Sequence, residues 1–106
     1  MRTIPLLLAA VLLSPAAAQA KTWSVACAAD GCVAIDSDGG IAYIDAEKQV
    51  VSGVDKLTDS PKSPFSISCA AKNVGEGCVI VDGAGRLWFG STKPGKPYKA
   101  SDNKLP

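Results

Sequence analysis

The residues best able to do chemistry are four cysteines, in "CAADGC" at Cys27–Cys32 and "CAAKNVGEGC" at Cys69–Cys78. In an oxidising compartment they read as two disulfides, for which three connectivities exist. Local pairing, Cys27–Cys32 and Cys69–Cys78, is expected. Each pair brackets a turn signal, so its members would face each other across a hairpin with Cβ atoms close enough to bond. Zinc is the rival, but only the first pair comes near the usual spacing and the chain has no histidine. The missing histidine also removes Ser-His and Cys-His nucleophile pairs and c-type haem attachment. "DSDGG" at Asp36–Gly40 raises calcium, with Asp36, Asp38 and Glu47 at positions 1, 3 and 12 of an EF-hand count. Ile41 stands where that loop demands glycine and Gly40 offers no ligand, so a β-turn is the better reading. The only glutamates, Glu47 and Glu76, fall in expected surface loops, which leaves no evident carboxylate pair for glycoside chemistry. No catalytic residue, metal or cofactor is expected, and the chain reads as a non-enzyme.

The cysteines need an oxidising compartment, and the N-terminus supplies a route to one. Arg2 is followed by the apolar run Ile4–Leu13, then by "SPAAAQA" with small residues at Ala18 and Ala20. That is the form of a cleaved signal peptide over residues 1–20, too short to span a bilayer. The chain is therefore expected in the periplasm or outside the cell, with 21–106 as one mature domain and no membrane insertion. Without Arg2 the remainder balances ten basic against ten acidic residues. A neutral surface argues against nucleic acid as partner. So small a domain buries a marginal core, for which cross-links are the usual remedy.

The elements that hold the cysteines are written twice. "WSVACAA" at Trp23–Ala29 matches "FSISCAA" at Phe65–Ala71, and "GCVAIDSDGGIAYI" at Gly31–Ile44 matches "GCVIVDGAGRLWFG" at Gly77–Gly90. The second copy carries four extra residues between its cysteines. Repeats of this period announce duplicated supersecondary units. Alternation of Trp23, Val25 and Cys27 with Ser24 and Ala26, and β-branched runs closed by Asp/Gly turns, indicate strands. "CVAI" and "CVIV" are second strands, "IAYI" and "RLWFG" third strands, and "QVVSGV" and "PYKAS" weaker fourth strands. The expected fold is all-β: two tandem antiparallel repeats of three to four strands, about 21–57 and 65–101, stapled by disulfides and joined by "TDSPKSP".

"VDGAGRLWFGST" at Val81–Thr92 resembles the blade motif of two-component-regulator type β-propellers, in which an Asp-x-x-Gly turn leads into a Leu-Trp-x-Gly-Thr strand. Asp82, Gly85, Leu87, Trp88, Gly90 and Thr92 match it. In the first copy Asp36, Gly39 and Ile41 match, while Ala42 and Ile44 replace the Trp and Gly. The resemblance implies a recognition scaffold without catalytic residues. Two blades do not close a propeller. The copies are thus expected either to assemble across chains as a homo-oligomer or to pack together as a small sandwich or half-open barrel.

The function expected is a non-catalytic binding or structural module for a protein partner or an envelope assembly. The alternative is an inhibitor of a secreted or periplasmic hydrolase, with a disulfide-held loop plugging a cleft. Trp23 and Phe65 hold equivalent places and are expected to form a pseudo-symmetric core. The copies diverge most in the third strand and first loop, and loops and outward strand positions are free of packing demands. The partner surface is therefore expected on copy two, at Arg86, Trp88, Lys72, Asn73 and Glu76.

Overall fold

A computed structural model describes residues 21–29, 31–70 and 77–106. The chain forms eight strands: β1 (Trp23–Ala28), β2 (Gly31–Asp36), β3 (Gly40–Asp45), β4 (Val50–Lys56), β5 (Ser66–Cys69), β6 (Cys78–Val81), β7 (Arg86–Gly90) and β8 (Lys99–Lys104). They make two four-stranded antiparallel sheets, ordered β1-β2-β3-β4 and β5-β6-β7-β8. Each copy of the repeat builds one sheet, and β8 starts and ends later than the "PYKAS" stretch.

Both central turns rest on one aspartate. Asp36 Oδ1 accepts the backbone N–H groups of Asp38 and Gly40, each at 2.8 Å. Asp82 Oδ1 does the same for Ala84 at 2.9 Å and Arg86 at 2.8 Å. The turn is closed by Gly39 N–H on Asp36 O and by Gly85 N–H on Asp82 O, both at 3.1 Å. Gly39 and Gly85 hold φ of 88° and 84°, a region that a side chain would strain. The calcium count thus falls on a self-satisfied turn, and among the described residues no acidic or cysteine cluster could hold a metal.

Cross-strand partners share a face of a sheet. The ladders Val25↔Ala34, Cys27↔Cys32 and Ala34↔Ala42↔Val54 put Trp23, Val25, both cysteines, Ala34, Ala42 and Val54 on one side of sheet one. We call this the cysteine face. Its counterpart in sheet two holds Phe65, Ile67, Cys69, Cys78, Ile80, Trp88 and Ala100. The opposite, valine face carries Val33, Ile35, Ile41 and Tyr43 in sheet one, and Val79, Val81, Leu87 and Phe89 in sheet two.

The core does not join like with like. Its buried members are Val33, Ile35, Ile41, Tyr43 and Leu57 from sheet one, and Cys78, Ile80, Trp88 and Tyr98 from the second copy. Phe65, Ile67, Cys69 and Ala100 pack against them. The valine face of sheet one therefore lies on the cysteine face of sheet two, head to tail. The sheets come closest at their first strands, β1 and β5. Away from these, large rings fill the space, with the Tyr43 and Tyr98 centroids 6.5 Å apart. The linker ties the stack: Lys62 N–H donates to Asp82 Oδ2 at 3.0 Å, Gly83 N–H to Lys62 O at 2.6 Å, and the Arg86 guanidinium to Asp59 O.

Candidate functional site

Head-to-tail stacking leaves the cysteine face of sheet one uncovered. Trp23 is 54% exposed, Val25 61%, Val51 62% and Val54 77%. Val51 joins this face through its partner Ile44, past a bulge at Tyr43/Ile44. Trp23 and Val25 stand on edge strand β1, Val51 and Val54 on edge strand β4. Between them run Ala34 and Ala42, so the face is a shallow apolar trough with raised rims. At the same positions sheet two has Ile80 and Trp88, and both are fully buried.

The disulfides are the local pairs, Cys27–Cys32 and Cys69–Cys78, each with a Cα–Cα distance of 4.0 Å. Each closes the β1–β2 or β5–β6 hairpin at its loop end. The first crosses the open trough, where Cys27 is exposed; in the second, Cys78 lies in the core.

Two expected roles need correction. Trp88 is fully buried and offers no surface to a partner. Its ladder partner Ile80 sets it on the cysteine face of sheet two, which is covered, and the period of two sends Phe89 outward instead, 41% exposed. Arg86 is half-buried as its lid, with the guanidinium carbon 4.7 Å from the indole centroid. Trp23 is the second correction. It shares no core with Phe65, because the two equivalent faces point to different surroundings. Lys72, Asn73 and Glu76 lie outside the described residues.

The buried carboxyls belong to the fold. Burial alone would push Asp36 up, but the N–H groups of Gly40 and Asp38, with Lys21, outweigh it and hold the carboxyl below its ordinary value. Lys21 Nζ stands 3.4 Å from Asp36 Oδ2. At Asp82 the N–H groups of Arg86, Lys62 and Ala84, with the Arg86 charge, likewise overcome burial and lower the carboxyl. Tyr98 is pushed far up by burial, then by its neighbour Tyr43, and its hydroxyl donates to Ser91 O at 2.8 Å. Tyr43 is raised by burial and by Asp55. The Tyr43 hydroxyl and Trp88 Nε1 are buried in the core with no hydrogen-bond partner among the described residues.

A depression of about 570 Å³ opens at the loop end of the stack, between Ala29, Ile44, Glu47, Ser52, Lys93 and Pro94. The chain is thus defined as a disulfide-bonded, two-sheet β-repeat protein with an uncovered apolar sheet face. No protein-family model, curated protein or solved structure matches it.

Proposed function

We propose that this is an exported, non-catalytic module that works by docking a protein on the trough of sheet one, as a binding or structural subunit of an envelope assembly. The observation that carries the reading is the gathering of Trp23, Val25, Val51 and Val54 on a single face. Contiguous exposed apolar surface on a small domain marks an interaction site. The disulfides fit an oxidising compartment. The leader at 1–20 fits delivery to the periplasm or beyond. The blade resemblance fits a recognition scaffold.

The test is site-specific photo-crosslinking in producing cells, with a benzophenone residue at Val25, at Val54 or at the exposed Asp102 as control. Discrete adducts from Val25 and Val54, absent from Asp102, support docking at the trough. Equal or absent adducts at all positions overturn it. Intact-mass measurement of the exported form checks that the mature chain begins at Lys21; a chain retaining 1–20 would overturn the processed-leader reading.

A further inference from the structure

Two faces are left open by the stack, and each is a copy of a face that is already mated. The open valine face of sheet two holds Val79, Val81, Leu87 and Phe89, where sheet one buries Val33, Ile35, Ile41 and Tyr43. Leu105 extends the match. Its N–H donates to Gly85 O at 2.8 Å, as Leu57 N–H donates to Gly39 O at 2.9 Å. Yet Leu57 is 3% exposed and Leu105 is 49% exposed. The open cysteine face of sheet one holds Trp23, Val25 and Val54, where sheet two packs Phe65, Ile67 and Ala100 against the core. One interface in the molecule therefore shows what its two unpaired surfaces are shaped to meet.

We infer that a second copy of this chain is the occupant of the trough: the valine face of sheet two in one molecule packs on the cysteine face of sheet one in the next, repeating the intramolecular stack. The inference rests on the docking reading above and names its partner. The contact is heterologous, using two different patches, so each molecule keeps one free face of each kind until the series closes. The close approach of β1 to β5, with bulky rings filling the rest of the interface, gives the stack a wedge shape. A wedge turns successive sheets about an axis on the side of the first strands.

The repeated interface is also chemically cleaner than its template. The template buries the Tyr43 hydroxyl and Trp88 Nε1 without partners among the described residues. In the copy those positions are Phe89 and Ala42, which carry neither group, so no orphaned donor is buried there. The copy departs from the template at Ala34 and Ala42, which replace Ile80 and Trp88 and leave volume that Trp23, in place of Phe65, and Val54, in place of Ala100, must fill, and at Lys99. Lys99 takes the place of Gly53, whose Cα lies against Pro94 in the template. An added Cβ at Gly53 would fall 2.9 Å from Pro94 Cβ, and the counterpart of Pro94 is Lys48, so Lys99 needs this corner to open and meets a turn that bears Lys48 as well as Asp45 and Glu47.

The experiment uses the purified, oxidised mature chain and two variants, Val54→Lys on the trough and Phe89→Lys on the valine face. Both residues are exposed, so both variants should retain the wild-type circular dichroism and melt. Light scattering after size exclusion should give the wild type at least twice the monomer mass and each variant the monomer mass. Mixed in equal amounts, the variants should form a dimer, because one intact face of each kind remains and the two lysine-bearing faces repel. A monomeric wild type at high micromolar concentration overturns the inference. So does association abolished by Val54→Lys but untouched by Phe89→Lys, which would show trough packing on trough. A variant that fails to fold is replaced by Val25→Lys or Leu105→Lys, read in the same way. If the wild type is monomeric while Val25 and Val54 still crosslink to another protein in cells, the docking face stands and self-association falls.

Discussion

The cysteine faces of the two sheets share a strand order and have opposite circumstances. In sheet two the face is covered, and its central positions are Ile80 and Trp88. In sheet one it is open, and the same positions are Ala34 and Ala42. Large side chains stand where the other sheet of the same chain is met, and small ones on the face that the chain itself leaves open. A duplicated sequence can thus fold twice in the same way and still place equivalent residues in unlike environments.

The sharpest way to break this comparison is to truncate the one tryptophan on each face. Trp88→Ala should cost about 3–5 kcal/mol, since it empties a fully buried site. Trp23→Ala should cost less than ~1 kcal/mol in the isolated monomer, as a surface change away from the core. Urea melts of both variants measure the difference, and equal losses would mean that both faces are packed in solution.

The disulfides come next. Removing either should cost about 2–3 kcal/mol for loops of this length. The Cys69/Cys78 pair should lie at the upper end, because its loop is longer and Cys78 is buried, whereas Cys27 is exposed. Paired Cys→Ser variants compared by denaturant midpoint check the order.

Asp82→Ala should then cost more than Asp36→Ala, each in the range of about 1–3 kcal/mol for hydrogen bonds to a charged group. The Asp82 carboxylate accepts three backbone N–H groups, one from the linker, while Asp36 accepts two and leans on Lys21. Both carboxyls sit lower in the folded chain than the unfolded value of about 3.9. Their stabilisation is therefore complete above about pH 4 and drains away as pH falls through the folded values. Thermal melts from neutral to acid pH should show that loss, blunted in an Asp36→Asn, Asp82→Asn double variant. Lys21→Ala should have the smallest effect, ~0–1 kcal/mol, because the lysine is half exposed. A larger change in its melt would mean that Asp36 depends on that charge more than on its own turn.

Much of this was legible in the residues. The Gly-Cys-Val runs and Asp-x-x-Gly turns indicate two antiparallel repeats of three to four strands, and the bracketed turns indicate the local disulfides, because hairpin pairing is decided by near neighbours. The facing was not legible from alternation, which says that residues share a side and not what lies across from it. Alternation alone therefore sets Trp23 in a core it does not reach, and does not decide which of Trp88 and Phe89 turns outward. A signal was present in the unequal pairs Ala34/Ile80 and Ala42/Trp88. Residue volume at equivalent places, more than hydrophobicity, distinguishes the covered copy from the open one.

The order of the strands has a consequence in time. Every ladder joins strands adjacent in the chain, so each sheet can zip up from local encounters, the fast part of folding. Only the mating of the two sheets requires residues far apart in sequence to meet. A chain delivered from its N-terminus would complete β1–β4 first and hold both of that sheet's apolar sides bare until β5–β8 arrive. Pulse-labelled hydrogen exchange during refolding should then protect the β2–β3 ladder amides before the rings of Tyr43 and Trp88 report a closed core; simultaneous appearance of the two signals would show that neither sheet persists without the other.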